Sequence, residues 1–389
     1  MKFDRNQNRI MAKKDINKSE FSEETKLKLD LFRECYREWF PVFVHNPYIK
    51  HIFVYDMFAG SGTDSVGNPG SPIILFQESR GDRKQHCKSL LKKNAPQVTF
   101  AFNEFEPTKK DELDENVSKE FSACKSQCTE NECPFEKSFY CGQNDFSNLI
   151  NGNANFNQIL SNKNYAKFIL LDQYGFKQIN DDVFLKLVNS PNTDFIFFIA
   201  SSFIKRFKDL PAVTAYFDNK KISYDETKPK ECHRVITDYF RNLIPPEKNY
   251  YLHSFTIQKG TNYYGLIFGT NHSLGMEKFV KVCWRHDKQA GESNCNIDND
   301  FELGTLFYDP NNSIRRNTME GIVESKILQS EITDNITGLN YVLKNGCEPK
   351  LFVEVVKKLL QQGKIQVDGK FNSQSTNIHK VEKYKIVII

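Results

Sequence analysis

No uninterrupted apolar run in the chain approaches the ~20 residues that a membrane helix needs, so a membrane-spanning protein is not expected. The first residues, Met1-Lys2-Phe3-Asp4-Arg5-Asn6-Gln7-Asn8, lack the apolar core of a signal peptide, and a cytoplasmic protein is the default expectation. Net charge is only +4 over 389 residues, so any nucleic-acid-binding surface has to be local rather than global. A dinucleotide fingerprint is also incomplete: Gly60 and Gly62 are present, but no third glycine follows at the required spacing. That absence weighs against a nucleotide-dependent oxidoreductase. No internal repeat is present. Cysteine, by contrast, is plentiful. Ten in a chain of this length and setting point to reduced or metal-bound thiols rather than a disulfide framework.

The stretch Ile52-Phe53-Val54-Tyr55-Asp56-Met57-Phe58-Ala59-Gly60-Ser61-Gly62 organises what is there. A short apolar run reads as a buried strand, and it ends in an acid and a glycine turn. Without a Cβ, Gly60 and Gly62 let the loop turn sharply and a ligand approach its backbone. In open α/β sheets such ligands sit beyond the carboxyl ends of the strands.

Residues 1–24 are polar and read as a flexible arm, and a helix starting at Ser22 or Glu23 is expected to stop at Pro41 and Pro47. Ser71 at an N-cap and Pro72 after it open the next helix. Further strands are expected at residues 98–102, 137–142, 167–172 and 194–200, with helices between, including 108–123 and 181–188. Residues 250–258 and 262–269 flank Lys259-Gly260 as a hairpin, and a helix over 275–284 closes the region. Five parallel strands finishing in an antiparallel hairpin are the layout of a seven-stranded Rossmann-like methyltransferase sheet. The expected fold is therefore α/β over residues 25–286, with a Cys-rich insertion at 124–141. A linker follows at 287–314. Three helical periodicities and two short strands then suggest a winged helix-turn-helix over 315–389.

In such a sheet Asp56, Phe58, Ala59, Gly60 and Gly62 would hold the amino-acid end of S-adenosylmethionine. Glu104 would accept its ribose hydroxyls and Asp145 its adenine amine. Asp172-Gln173-Tyr174 ends the fourth strand, beside the reactive methyl group. An aromatic exocyclic amine is a weak nucleophile because its lone pair is delocalised. The Asp172 carboxylate and the Gln173 carbonyl would accept its hydrogens and localise that pair, and Tyr174 would stack on an extruded base. Taken singly, each acid reads equally as a helix cap or a strand terminator; the ordered set carries the signal.

With these residues in hand the chain resembles the three-Cys-motif partner family, TcmP. The resemblance rests on Thr25-Lys26-Leu27-Lys28-Leu29, the Asp56–Gly62 loop, Gly70-Ser71-Pro72, Phe102-Asn103-Glu104, Asp172-Gln173-Tyr174-Gly175-Phe176, Arg206-Phe207 and Tyr263–Thr270. Ser61 and Gln173 stand where the family has prolines. The resemblance implies a methyltransferase-like protein with an appended winged helix, a companion three-Cys-motif protein, and a phage-defence or mobile-element setting. It leaves two readings: methylation of an exocyclic amine in nucleic acid, or a non-catalytic partner subunit that keeps the cofactor pocket.

Two further groups remain. Cys124, Cys128, Cys133 and Cys141 fall within eighteen residues and are either a tetrahedral zinc site or clustered reduced thiols. His233, beside Cys232 on a helix, reads as a surface residue. From Gly321 to Ile389 there are ten lysines, seven acids and no arginine, which suits phosphate contact more than base reading. Lys350, Lys357, Lys358 and Lys364 are the candidates there, with Arg315 and Arg316 just before them; a protein-docking winged helix is the alternative.

Overall fold

The computed structural model describes residues 16–130, 132–173, 177–207, 209, 211–214, 227–298, 313–374 and 376–389. In chain order the first elements are α1 (Glu23–Val44), β1 (His51–Asp56), α2 (Ser71–Arg80), α3 (Gln85–Leu90), β2 (Gln97–Asn103), α4 (Pro107–Ser126) and β3 (Phe139–Gly142). Then come α5 (Phe146–Gly152), α6 (Ala154–Ser161), β4 (Tyr165–Leu171), α7 (Asp181–Asn189), β5 (Thr193–Ile199), α8 (Ser201–Arg206) and α9 (Pro211–Thr214). The chain continues with α10 (Cys232–Leu243), β6 (Tyr251–Lys259), β7 (Asn262–Thr270) and α11 (Ser273–His286). Last are α12 (Ile314–Leu328), α13 (Asn335–Lys344), α14 (Lys350–Gln361), β8 (Ile365–Asp368) and β9 (Lys385–Ile388).

Seven strands form one sheet in the order β3-β2-β1-β4-β5-β7-β6. Strands β1 to β5 run parallel, and β7 is antiparallel to both β5 and β6. This mixed order is that of a Rossmann-like methyltransferase sheet. Alternation along β1 explains the layers: Ile52 and Val54 face the core under α1, α2 and α11, while Phe53 and Tyr55 face the core under α5, α6, α7 and α10. Because β2 and β4 flank β1 on opposite sides, the chain reverses its winding there and leaves a crevice at the carboxyl end of β1.

Local signals mostly act as expected, with two shifts. Ser22 caps α1 through a 3.4 Å bond from the Thr25 amide, yet the helix continues past Pro41 to Val44. Only one turn follows Pro41, so the amide bond it lacks is lost near the end, and Trp39, Phe40 and Val44 are buried. The cap of α2 is Gly70 rather than Ser71, which itself lies in the first turn with Pro72.

Beyond the sheet, α12, α13 and α14 surround a separate core with Val323, Leu339, Phe352 and Val356, and β8 pairs antiparallel with β9. This unit is docked on the sheet. Trp284 donates from Nε1 to the Gly346 carbonyl at 2.9 Å, and the Tyr251 hydroxyl donates to Asn340. Between the two units, residues 287–298 are packed. The Asp287 carboxylate accepts four backbone amides, from Gln289, Ala290, Glu292 and Ser293, and the Thr256 amide of β6 donates to the Glu292 carbonyl at 2.7 Å.

Glu292, 3% exposed, is the ionic centre of this junction. It accepts Arg234 at 2.6 and 2.7 Å, His233 at 2.7 Å, and Arg315. His233 is therefore buried, at 1% exposure, and not the surface residue its sequence context suggests. Arg315, half-buried, is engaged by Glu292 rather than held out as a free charge. Burial pushes the Glu292 carboxyl up, but Arg234, Arg315 and His233 outweigh it and hold it well below the usual carboxylate range.

Replacing Glu292 takes the buried anion from Arg315 and leaves Arg234 with Asp298 alone, so Glu292→Gln is expected to cost ~3 kcal/mol of stability at pH 7. A carboxyl with a depressed pKa stabilises fully above its unfolded value of about 4.5 and loses that contribution as pH falls further. The deficit of the variant, read by chemical denaturation, should therefore be full at pH 7 and shrink below about pH 4.5. An equal deficit at pH 7 and pH 3 would refute an ionic role.

Candidate functional site

At the carboxyl end of β1 the backbone is pinned on both sides: the Met57 amide donates to the Leu170 carbonyl at 3.0 Å, and the Ala59 amide to Asn103 at 2.9 Å. Gly60 and Gly62 then adopt φ of +60° and +83°, which a side chain would strain. The Asn17 amide covers this turn. Its Nδ2 donates to the Thr63 carbonyl at 2.8 Å, and a Cβ added at Gly60 would lie 2.8 Å from its Oδ1. Residues 16–22, part of the expected arm, are thus packed on the glycine loop, where the Phe21 amide also donates to Asp64 at 2.9 Å.

Asp56 is fully buried. Its Oδ1 accepts the Phe58 amide at 3.2 Å, while its Oδ2 has no partner in hydrogen-bonding geometry, the Ser71 hydroxyl standing near the carboxylate. Burial, reinforced by the nearby charge of Asp172, pushes the carboxyl up to about 7 against the downward pull of Ser71, the Phe58 amide and Lys28. A buried acceptor left open beside a glycine cradle fits a ligand that brings a donor. Glu104 joins it from the end of β2, accepting the Gly60 amide on Oε2 at 3.0 Å and the Glu106 amide on Oε1 at 2.9 Å. Each oxygen keeps a second lone pair for a ligand hydroxyl.

Asp145 caps α5 by accepting the Asn148 amide at 3.0 Å. It also lines an open cavity of about 470 Å³ with Asn144, Asn148 and Asn153. Phe58, half-buried, packs its ring 5.1 Å from Phe146 of the same helix. A second cavity of about 330 Å³ lies between β1–β3 and α5–α6 and reaches Met57, Asn103 and Asn144 at the strand ends.

Asp172 follows β4, one strand over from Asp56. Its Oδ2 accepts Lys28 Nζ at 2.5 Å, from a helix 144 residues away in sequence. Gln173 is 2% exposed; its Oε1 accepts the Gln178 amide at 2.9 Å, and its Nε2 is buried without a partner. Tyr174 lies outside the described residues.

The structure thus gathers Asp56, the glycine loop, Glu104, Asp145, Asp172 and Gln173 at one end of the sheet. Sequence reading missed three side chains that hold this end together. Lys28 is the first. Asn103, 5% exposed, donates to the Asn144 carbonyl at 2.9 Å and accepts the Asn144 amide at 3.0 Å, tying β2 to β3. Asp64 shapes the loop after Gly62 by accepting Val66 and Asn68 amides at 3.0 and 2.8 Å. The only signal for Asn103 was its place before Glu104 at a strand end.

Among the described residues no group of three or more His, Cys, Asp or Glu side chains is placed to hold a metal ion, so the zinc alternative for the four cysteines gains no support. Cys141 instead stands near Asp114, and burial with that neighbouring carboxylate pushes its thiol up to about 12. Cys87 of α3 is the thiol that stands in electrostatic range of Cys124, Cys133 and Cys128. Lys84 brings α3 there by donating to the Gln127 carbonyl at 3.0 Å.

On the C-terminal unit, Lys358 and Lys364 both reach Glu324, at 2.9 and 3.4 Å, and Lys350 reaches Glu354 at 3.4 Å; Lys357 is exposed. Arg316 pairs with Glu320 and Glu354. Exposed pairs of this kind are weak and exchange readily for a phosphate. No helix among the described residues is long and apolar enough to cross a membrane.

No protein-family model and no curated protein matches the sequence. Among solved structures, M. jannaschii TYW2 in complex with AdoMet is 14% identical, covering 66% of this chain and 78% of its own, with a TM-score of 0.29. The plantazolicin methyltransferase BpumL in complex with SAH is 8% identical, covering 64% and 86%, with a TM-score of 0.32. The METTL16 MTase domain is 8% identical, covering 61% and 66%, with a TM-score of 0.30. At such scores the likeness carries no argument, and the fold assignment rests on strand order and direction.

Asp56 yields a direct test. Its raised pKa means that the folded state holds a proton that the unfolded state releases, so ionisation destabilises the fold as pH rises from about 4 to about 7. Asp56→Asn should therefore raise stability by ~1–3 kcal/mol at pH 8 and by less at pH 5, measured by thermal or urea unfolding. A variant less stable than wild type at pH 8 would contradict the burial argument.

Proposed function

We propose that this protein is an S-adenosylmethionine-dependent methyltransferase acting on an exocyclic amine of a nucleic-acid base. The observation that carries the reading is the unpartnered Oδ2 of buried Asp56, set at the sheet's switch point against a positive-φ glycine turn. S-adenosylmethionine, when bound, supplies an electrophilic methyl group. Asp56, with the Phe58–Gly62 backbone, would receive its ammonium end, Glu104 its ribose hydroxyls and Asp145 its adenine amine. Asp172 stands one strand away as acceptor for the attacking amine. Asp172 would take one N–H proton from the attacking amine as that amine accepts the methyl group, and would pass it to water. The Gln173 carbonyl would accept the amine's second hydrogen, and Tyr174 would stack on the base.

The C-terminal unit has the helix, helix, helix and two-stranded layout of a winged helix, which supports reading it as the nucleic-acid-binding part through Lys350, Lys357, Lys358 and Lys364. A companion three-Cys-motif protein and a phage-defence or mobile-element setting complete the proposal.

A second reading has a specific observation behind it. Asp172 is already neutralised by Lys28, and Gln173 stands where the TcmP family has a proline, which suits a cofactor-binding partner subunit without catalysis. Titration calorimetry with S-adenosylmethionine should give micromolar affinity that falls at least tenfold in Asp56→Ala and Glu104→Ala. Radiolabelled methyl transfer to mixed-sequence DNA and RNA, with the genomic neighbour added, then separates the readings: Asp172→Ala abolishes transfer if this chain is the catalyst and spares it if the companion is. Absence of binding by folded wild-type protein would sink both.

A further inference from the structure

Lys28 is 8% exposed, on the face of α1 that also buries Leu29, Phe32 and Tyr36. An ammonium there is expensive, since transfer of a charge from water is repaid only by close and well-directed partners. It has them. Its Nζ lies 2.5 Å from Asp172 Oδ2, 4.9 Å from the Phe198 ring centroid and 5.9 Å from that of Phe32. Stability alone does not account for the pair, because a buried ion pair exchanged for apolar residues of similar volume is often neutral or stabilising. Its location accounts for it better. Lys28 holds one carboxylate oxygen at the strand end where the amine is to react, while Asp172 Oδ1 accepts no hydrogen bond among the described residues.

We propose that Lys28 is a positioning residue for methyl transfer, fixing Asp172 through Oδ2 so that Oδ1 alone is presented to the N–H of the incoming amine. The role rests on the methyltransferase reading above. A compact ammonium can bind one oxygen and leave the other open, and the two aromatic rings hold it in register. An unheld Asp172 would be free to rotate, and Asp56, buried nearby and also acidic, would repel its charge. Proximity effects of this sort are worth one to two orders of magnitude in rate when an acceptor is displaced by about an ångström.

The test uses full-length protein and labelled methyl transfer to mixed-sequence DNA and RNA oligonucleotides, with thermal unfolding run in parallel. Lys28→Met should lower kcat about 10–100-fold with the KM for S-adenosylmethionine within about threefold of wild type. Lys28→Arg separates position from charge. Its guanidinium restores the ion pair and the melting temperature, but its planar fork engages both carboxylate oxygens, so kcat should stay low. In an Asp172→Asn background, Lys28→Met should change the residual rate little, because Lys28 acts through Asp172. Wild-type kcat in Lys28→Met, full kcat in Lys28→Arg, or an additive loss in the double variant would each overturn the inference. Wild-type protein that binds no S-adenosylmethionine and transfers no methyl group would instead remove the reading beneath it, an outcome that the variants cannot mimic.

Discussion

Two carboxylates brought to adjacent strand ends in a buried crevice set the problem that this structure has to solve. Parallel strands place their carboxyl ends together, so residues that follow β1 and β4 are forced into proximity whatever their charge. Asp56 and Asp172 both sit there, and their mutual repulsion is one reason that the Asp56 carboxyl is pushed up to about 7. One ammonium, from Lys28, offsets both. The long apolar face of α1 is the means by which that ammonium reaches the crevice, because Leu31, Phe32, Tyr36 and Phe40 seat the helix across the sheet. The site's electrostatics thus depend on the packing of a helix that contributes no other charge to it.

The same dependence explains which parts of the molecule are legible in sequence. Strand β1, the glycine turn and the β6–β7 hairpin are set by neighbours within a few residues, and their patterns of apolar runs, glycines and turn dipeptides are local. The strand-end acids were legible too, since each lies at the end of its own strand or within three residues of it. Lys28 was visible only as a letter in a helix, because its meaning comes from Asp172, far along the chain. Cysteine spacing misled for the same reason: Cys141 is near in sequence but faces Asp114, while Cys87 is distant in sequence and near in space. Pro41 and Ser71 show the smaller error typical of helix ends, where tertiary packing overrides the local stop or start by a turn or less.

At the far side of the sheet Glu292 answers a different need. It joins α10, the segment after α11 and the start of α12, so the C-terminal unit is anchored to the sheet through a buried anion rather than through an apolar face alone. Such a node is directional, because Arg234 and Arg315 meet the two Glu292 oxygens in set geometry while Arg234 also holds Asp298 and Arg315 the Asn345 carbonyl. His253, packed nearby against Gly346, has its pKa driven down to about 3 by burial and by Arg315, so it stays neutral within that node at physiological pH. The orientation of α12–α14 relative to the sheet is thereby fixed by polar geometry.

Fixing that orientation matters for any enzyme that works on an extruded base. Lysines that hold a phosphate backbone supply affinity without sequence information, and they are useful only at a set distance from the reacting group. Lys358 and Lys364 share Glu324 on the surface of the C-terminal unit, a contact weak enough for a phosphate to displace. On the proposed reading, the strong buried node and the weak surface pairs would divide the work. Glu292 keeps the unit rigid against the sheet, and the exchangeable pairs leave its lysines available. A non-catalytic partner subunit that keeps the cofactor pocket would need the rigid docking and the open acceptor on Asp56, but not an open oxygen on Asp172. On the proposed reading, the buried and unpartnered Asp56 Oδ2 and the Asp172 oxygen that Lys28 leaves open are where a methyl donor and an amine would bind.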